Sequence, residues 1–397
     1  MKIRYIFIFF ILLGSGLLIL DIFVLKSSNI ALLKEQREAN LKELPKDKPI
    51  KIGVAWPFPP SSLADDFKNG ILLAVKELET TILDRKIEVV FRNDELERDV
   101  ALNIANEFAK DKDIVAVIAH DDVDIAIPAS IIYEYSGIIM IAPAVSSPDF
   151  TRINFDYIFR NTPSDIIIGQ KLANFAKFMN FKKLIILNSR DEYSESLTKA
   201  FTKKAIEDGL EVIYDQKFNP KEREFAKIIT DISPKINRLI DYDAIFIAGD
   251  VENVPALIEK AREYGIFAPF ITGDMLDSSE ILEAGEAMNG TIVATIYNKN
   301  LIYKKTQDFI DNFKKIYGHY PDTWGAQGYD AVMLLATAIK KVDSLNGKLI
   351  YKQLKYMHNY DSIFGKYSLN TKGDVVEREI YFKVVKNGKF YYIKGHR

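Results

Sequence analysis

The sequence contains no cysteine among its 397 residues. This absence excludes disulfide bonds, thiolate metal sites, cysteine nucleophiles, iron–sulfur clusters and the lipid-attachment site of bacterial lipoproteins. A basic excess is also missing, since 53 Lys and Arg stand against 55 Asp and Glu, which argues against a general nucleic-acid-binding protein. The mixture of 48% hydrophobic and 27% charged residues excludes wholesale disorder. The length predicts two domains plus a short extra segment.

Motifs typical of enzymes are missing as well. No G-x-G-x-x-G follows a predicted strand, and there is no P-loop, H-E-x-x-H or G-x-S-x-G motif. Four histidines leave few acid–base groups besides the carboxylates. The run His120–Asp124 contains ligands for a hard metal, but an Asp that caps the following helix explains it more simply. We therefore expect a protein that is not an enzyme and that holds no cofactor and no metal.

The longest apolar run lies at the N-terminus. Two basic residues precede residues 5–25, which are almost entirely apolar and are followed by no Ala-x-Ala cleavage site. A membrane-spanning helix needs about 20 such residues. We interpret residues 1–25 as an uncleaved signal anchor; the alternative is a cleaved signal peptide, because Asp21 shortens the run. Both interpretations place the rest of the chain on the periplasmic, extracytoplasmic face of the membrane.

Strands and helices are predicted to alternate from residue 50 onward. The polar and charged residues 26–49 before this point are expected to be a linker. Two successive series of alternating strands and helices predict an α/β fold with two doubly wound lobes built on parallel sheets. Ligands bind such sheets at the carboxyl ends of the strands, in the loops that precede the next helix.

Several of these segments follow one another in an order that resembles a known family. They are KIGVA, IVAVIAH, YEYSGIIMIAPAVSSPDFT, YIFRNTPSD, KKLIILNSRDEYSES, YDAIFIAGD, PFITGD and WGAQGYDAVMLLATAIK. The order is similar to that of the type 1 periplasmic binding proteins, specifically the branch that binds branched-chain amino acids (Leu/Ile/Val) for ABC transporters. The resemblance extends from about residue 50 to residue 397.

The resemblance implies that three hinge crossovers join the two Rossmann-like lobes, so that each lobe is discontinuous in sequence. The crossovers are expected near Asn161–Thr162, Thr295–Tyr297 and Gly365–Tyr367. The expected lobes are residues 50–161 with 296–365, and residues 162–295 with 366–397.

The resemblance also implies where the ligand is bound. Ala144 and Ser146 match positions that hold the ligand's carboxylate and ammonium groups. Tyr193 matches an aromatic residue of the second lobe, and Asp274 matches an acid that pairs with the α-ammonium. Apart from the family, Ser146 follows a strand and precedes a proline, a setting that suits an anion. Simpler roles remain open: Ser146 can cap a turn, Tyr193 can be a packing residue, and Asp274 can cap a helix.

Other loops depart from the family pattern. Asp122 and Asp124 replace a serine cluster, and Asp250 replaces an aromatic or small residue. The first loop reads PFPPSS in place of a glycine-rich segment, which makes it stiff. Trp56 and Phe58 stand at the end of the first strand and are candidate walls for an apolar or cationic ligand; the alternative is that they belong to the core.

Acidic residues outnumber basic ones in the loops that we expect to line the cleft. Arg190 is the basic residue nearby, whereas the acids are Asp121, Asp122, Asp124, Asp250, Glu252 and Asp274. We therefore predict a ligand with at least one amino or ammonium group, a dicationic ligand included, and cation–π contacts to the aromatic residues. The alternative is that most of these acids are solvated helix caps.

The predicted function is that of a solute-binding protein. The resemblance implies capture of an amino acid or a related amine or amide between two closing lobes, and its presentation to an ABC-type permease in the membrane. The alternative is a membrane-anchored ligand sensor or partner-activating module with the same fold. The predicted anchor favours this alternative somewhat, whereas the missing motifs disfavour an enzyme.

Overall fold

The computed structural model describes residues 32–58, 62–79, 82–219 and 225–394. The expected signal anchor, residues 1–25, lies outside these ranges, as do residues 59–61 of the first loop. Among the described residues, no helix combines the length and the apolar character that a membrane span requires.

Strands and helices alternate through most of the described chain. The strands are β1 (Ile50–Trp56), β2 (Ile87–Asn93), β3 (Ile114–Ala119), β4 (Ile139–Ala142), β5 (Ile158–Arg160), β6 (Lys183–Ser189), β7 (Glu211–Phe218), β8 (Ala244–Ala248), β9 (Phe270–Thr272), β10 (Ile292–Thr295), β11 (Tyr360–Ser362), β12 (Gly365–Leu369), β13 (Val375–Val376), β14 (Tyr381–Lys386) and β15 (Lys389–Tyr392). The helices are α1 (32–43), α2 (Ser62–Leu78), α3 (Arg98–Lys110), α4 (Val123–Ser136), α5 (Asp149–Arg152), α6 (Asp165–Phe178), α7 (Glu192–Glu207), α8 (Ala226–Ile232), α9 (Asn253–Glu263), α10 (Lys304–Tyr317), α11 (Thr323–Val342) and α12 (Gly347–Lys355), with 3₁₀ turns at Asp274–Leu276 and Ser279–Met288.

Five of these strands form a parallel sheet in the order β2-β1-β3-β4-β5. The central strand β3 has the sequence IVAVIA and is buried throughout, as expected where helices cover both faces of a parallel sheet. Its side chains alternate between two cores, because Ile118 packs in the core with residues of α2 and α11. Val117 packs in the core with residues of α3 and α4 on the opposite face.

The second sheet contains seven of the strands, in the order β15-β14-β10-β9-β8-β6-β7. The strands from β10 to β7 run parallel, and β14 and β15 are added antiparallel at the edge. The β6 residue Ile186 packs with residues of α6 and α7. Its neighbour Ile185 packs with residues of α8 and α9 on the other face, so this sheet is also covered on both sides.

The chain passes between the two sheets three times. It leaves the first sheet after β5, and it returns after β10 as α10, α11 and α12 together with a small sheet of β11, β12 and β13. The third passage was expected at Gly365–Tyr367, but the structure places it between Val376 and Tyr381. The reason is that β12 pairs with β11 and β13, and that Tyr367 and Leu369 are buried in the core of the first half.

The described part of the expected linker is docked against the first half of the molecule. Leu41 and Leu44 of this segment belong to the core that contains α2 and α11. Arg37 of α1 is 1% exposed and donates hydrogen bonds to the carbonyl oxygens of Ser136 at 2.9 Å and Ala109 at 2.6 Å. Residues 32–44 are therefore part of the folded unit rather than a free spacer.

Candidate functional site

A cavity of about 350 Å³ lies between the two sheets. Its lining residues come from loops that follow the carboxyl ends of strands of both sheets, and from the beginning of α11. This is the position at which open α/β sheets bind ligands, and the volume falls within the range of about 300–1,000 Å³ that is typical of small-molecule sites.

Two tryptophans form an aromatic wall of this cavity. Trp56 is the last residue of β1, and the centroid of its ring lies 5.7 Å from that of Trp324 at the start of α11. Phe67 of α2 stacks on Trp56 at 4.0 Å between ring centroids. Phe67 is completely buried, so its stacking contact fixes the position of the Trp56 ring. The indole rings of this wall provide apolar surface, and the same π faces attract cations.

The loop after β4 supplies neutral polar groups. Ala144 and Ser146 line the cavity together with Thr162. The backbone N–H of Asp165 donates to the carbonyl oxygen of Ser146 at 2.9 Å, which attaches this loop to the beginning of α6. The hydroxyl of Ser147 donates to the Glu192 carboxylate of the second half, so that Ser146 is the serine of this pair that lines the cavity.

Tyr193 and Asp274 form the opposite wall. The Tyr193 hydroxyl donates to Oδ1 of Asp274 at 3.0 Å and accepts from the N–H of Met275 at 3.3 Å. A Cβ at Gly273 would lie 2.2 Å from the Tyr193 hydroxyl oxygen, so the absence of a side chain there permits the close approach. Burial raises the pKa of Asp274 to about 6 despite the Tyr193 hydrogen bond, because a carboxylate is poorly solvated in this position.

A further acid of this wall is paired with a basic residue. Asp277 lines the cavity, but it forms an ion pair with Lys383 at 2.5 Å. Its carboxylate also accepts from the hydroxyl of Thr295 and, at 3.1 Å, from the hydroxyl of Thr323. Since Thr323 begins α11 of the first half, Asp277 connects the two halves at the edge of the cavity.

Asp121 lines the cavity from the side of the first sheet. Burial raises its pKa to about 7, with further contributions from the charges of Asp94 and Asp122. The described lining contains the carboxylates of Asp121, Asp274, Asp277 and Glu280 and no lysine or arginine. The arrangement therefore attracts cationic groups, and it offers an anion only hydroxyl and backbone N–H donors.

Comparison with known proteins identifies the family of this chain. The sequence profile of the periplasmic binding proteins matches residues 49–389. The chain belongs to the periplasmic binding protein family. The resemblance that the sequence suggested is thereby confirmed, and the fold is the type 1 periplasmic binding α/β fold with parallel sheets and helices.

Individual relatives agree with this membership. The chain is similar to the Leu/Ile/Val-binding protein homolog 1 of Brucella abortus (strain 2308), with 26% identity over 353 residues that cover 87% of this chain and 93% of that protein. It is also similar to an ABC transporter substrate-binding protein from Desulfitobacterium hafniense, with 32% identity and a TM-score of 0.78 over 87% of this chain and all (100%) of that chain. A structure from the same organism in complex with Leu shows 31% identity and a TM-score of 0.77, with coverage of 87% and 100%.

The structure of this periplasmic binding protein brings five of the nine predicted site residues to the cavity. They are Trp56, Ala144, Ser146, Tyr193 and Asp274. Their contact with a ligand stays a prediction. All five lie at or shortly after strand ends. The resemblance singled out Ala144, Ser146, Tyr193 and Asp274, whereas Trp56 was chosen for its position at the end of the first strand.

The other four predicted residues do not line the cavity. Asp122 caps α4, where its carboxylate accepts from the N–H of Asp124 at 2.7 Å, and both residues are exposed. Asp250 accepts from the N–H groups of Glu252 and Asn253 at the start of α9. Asp122 and Asp250 take the helix-capping role that the sequence left open, and Asp124 lies in the first turn of α4. Phe58 packs edge-on against Phe91, with 5.8 Å between ring centroids.

Sequence reasoning missed several lining residues of this periplasmic binding protein. Thr323 and Trp324 begin α11, which follows another helix rather than a strand, so a search of strand ends passed over them. Trp324 could have been selected by its residue type, because the chain contains only two tryptophans. Leu96, Val251 and Met275 also line the cavity, and nothing in their immediate sequence distinguishes them from other loop residues.

Proposed function

We propose that this chain is an extracytoplasmic solute-binding protein that captures an amino acid or a related amine and presents it to an ABC permease. The observation that carries the proposal is the composition of the cavity: hydroxyl and N–H groups at one end, a half-buried carboxylate at Asp274, and no basic residue in the described lining. The similarity to proteins named for Leu/Ile/Val binding, and to one solved in complex with Leu, supports an amino acid as the ligand.

The proposed binding mode assigns the two charged groups of an amino acid to different walls. The α-carboxylate accepts hydrogen bonds from the Ser146 hydroxyl and from backbone N–H groups of the loop that contains Ala144. The α-ammonium pairs with Asp274 next to the Tyr193 hydroxyl. This pairing compensates for the burial that raises the pKa of Asp274, because a nearby cation favours the ionised form.

Capture is proposed to proceed by closure of two lobes about the three passages of the chain. The lobes comprise residues 50–161 with 296–376 and residues 162–295 with 381–394. The hydrogen bonds from Ser147 to Glu192 and from Thr323 to Asp277 join the lobes on either side of the cavity. A ligand that contacts both lobes stabilises the closed state and shifts the equilibrium toward it.

Residues 5–25 are proposed to anchor the protein to the membrane. The support is their apolar sequence and the absence of a cysteine for lipid attachment. Fractionation of cells that express the full chain tests this point. The anchored protein stays with washed membranes, whereas a chain from which residues 1–25 have been removed does not.

Isothermal titration calorimetry with the purified residues 32–397 tests the ligand class. We expect an α-amino acid to bind, and we expect its α-hydroxy counterpart, such as 2-hydroxy-4-methylpentanoate for leucine, to bind at least tenfold more weakly. Asp274→Asn should remove most of this difference, while Asp122→Asn, a change at a helix cap outside the cavity, should leave it intact. Tight binding of a purely anionic solute, with no binding of amino acids, would contradict the proposal.

A further inference from the structure

Among the described residues, two half-buried carboxylates of the cavity form no ion pair, and they follow strands of different sheets. Asp274 follows a strand of the second sheet, and Asp121 follows β3 of the first sheet. Asp277 is paired with Lys383, and Glu280 is exposed. The cavity therefore holds two separate positions that favour a positive charge, of which the proposed binding mode of an α-amino acid uses one.

Asp121 differs from the acids that surround it. Oδ2 of Asp94 forms a hydrogen bond with Nδ1 of His120 at 2.7 Å, and Asp122 caps its helix. Within the described residues, Asp121 forms no hydrogen bond and no ion pair, although it is half-buried. A carboxylate in such surroundings is costly unless a cation or a donor approaches it, and the rise of its pKa to about 7 reflects this cost.

Trp56 and Asp121 lie at the carboxyl ends of neighbouring strands. Strands β1 and β3 are neighbours, and Ala55 is paired with Ala119. Trp56 and the His120–Asp121 segment therefore lie at neighbouring positions on the carboxyl edge of the sheet. Both Trp56 and Asp121 line the cavity. A carboxylate and an indole ring in the same cavity lining are groups that bind organic ammonium ions, the first through an ion pair and the second through a cation–π contact.

Resting on the function proposed above, we propose that Asp121 selects amino acids whose side chain ends in a second protonated nitrogen. The α-ammonium group occupies the position at Asp274, and the side-chain cation occupies the position between Asp121 and Trp56. An aliphatic side chain of equal length leaves the Asp121 carboxylate buried without a partner. Sites with a polar group that is left unpaired discriminate strongly against the ligand that fails to pair it.

The test compares L-lysine with L-norleucine, which has the same carbon chain without the terminal amino group. Calorimetry at pH 8 should show that the wild-type protein binds lysine at least tenfold more tightly. Asp121→Asn should reduce the ratio of the two affinities to about one or invert it. Asp250→Asn, the same change at a helix cap that does not line the cavity and whose charge does not act on Asp121, should leave the ratio unaltered.

The outcomes separate the inference from the function on which it rests. If norleucine or leucine binds the wild-type protein as tightly as lysine, the inference is overturned and the proposed function stands. If no α-amino acid binds, both fall. The wild-type ratio of the lysine and norleucine affinities decides the matter even if Asp121→Asn proves unstable.

The number of protons released on lysine binding at pH 7 is an additional measure, because pairing with a cation ionises Asp121. A release no greater than that with norleucine would count against the proposal.

Discussion

Arg378 donates a hydrogen bond from Nη1 to the carbonyl oxygen of Asn161. Its Nη2 donates to the carbonyl oxygen of Ile296 at 3.3 Å. Since Asn161, Ile296 and Arg378 lie on three different passages between the halves, one side chain connects all of them. The guanidinium also lies 3.5 Å from the ring centroid of Phe364 and is 3% exposed. The three passages are therefore coupled where they cross.

Replacement of Arg378 should disturb both stability and closure. Arg378→Met removes the donors and leaves the buried Asp330, whose carboxyl is attracted to the guanidinium, without its cation. The expected fall in the free energy of unfolding is about 1–3 kcal/mol for each buried carbonyl that loses its donor, to be measured by urea denaturation. Small-angle scattering with and without ligand should show a smaller ligand-induced compaction.

Arg262→Met is the matched control for this prediction. Arg262 donates to the carbonyl oxygens of Ile266 at 2.6 Å and Ala268 at 2.9 Å, which lie in the same half of the molecule. Its loss should lower stability without altering compaction. An equal effect of both substitutions on compaction would show that Arg378 has no special role at the crossing.

Intrinsic fluorescence should report ligand binding directly. The protein has two tryptophans, and both Trp56 and Trp324 line the cavity, so a bound ligand changes the surroundings of every indole ring. We expect a saturable change in emission that follows the calorimetric binding curve. Trp324→Phe should diminish the change while Trp56 retains part of it. A ligand that binds by calorimetry without any change in emission would place the binding site elsewhere.

Ligand affinity should rise with pH between about 5 and 8. Burial raises the pKa of Asp274 to about 6 and that of Asp121 to about 7, so both carboxyls of the ligand-free protein are mostly protonated at pH 5. A ligand cation favours the ionised form and expels the proton. Affinity therefore falls as pH falls through these values, by up to about tenfold per unit for each group that must ionise.

The charged groups around these two carboxyls belong to several elements. Asp94 and Asp122 face Asp121, and Asp277 and Arg378 act on Asp274. Calorimetry at four pH values checks the trend. For an amino acid with an uncharged side chain, Asp274→Asn should flatten it. A pH-independent affinity of the wild-type protein would mean that neither carboxyl pairs with the ligand's cation.

Gly273→Ala should weaken binding through Tyr193. The new Cβ would lie 2.2 Å from the Tyr193 hydroxyl oxygen and 2.5 Å from Cδ2 of Leu197, so the ring must move away from Asp274. We expect a loss of affinity of about tenfold and a destabilisation of about 1–3 kcal/mol. In a Tyr193→Phe background, which removes the nearest atom, the added loss of affinity should be smaller. Full additivity of the two substitutions would contradict this account.

Arg37→Met should lower stability without affecting the ligand. The guanidinium donates to several carbonyl oxygens at the ends of α3 and α4, including those of Ala109 and Ser136. Unpaired buried carbonyls cost about 1–3 kcal/mol each, so a fall of a few kcal/mol is expected in urea denaturation. Glu35→Ala, at an exposed position of the same helix, should change stability by less than about 0.5 kcal/mol. An unchanged stability of Arg37→Met would mean that α1 is not held by this contact.

The sequence by itself determined the class of fold and the edge of each sheet at which ligands bind. Runs such as IVAVIA in β3 and AIFIA in β8 are apolar on both faces, which requires helices on both sides of a parallel sheet. Such a sheet gathers its loops at the carboxyl ends of the strands. Within these loops the family resemblance singled out Tyr193 and Asp274, and both line the cavity.

Only the tertiary structure decided which acid of a loop lines the cavity and which one caps a helix. Asp121 and Asp122 are adjacent in sequence, yet one lines the cavity and the other accepts an N–H of its own helix. Asp122 is the N-cap residue of α4, whereas Asp121 lies in the loop between β3 and this cap. Thr323 and Arg378 reach their partners across about 46 and 217 residues of sequence, and no local pattern encodes such contacts. They arise because packed helices and sheets bring distant segments together, which is a property of the assembled cores and not of any single segment.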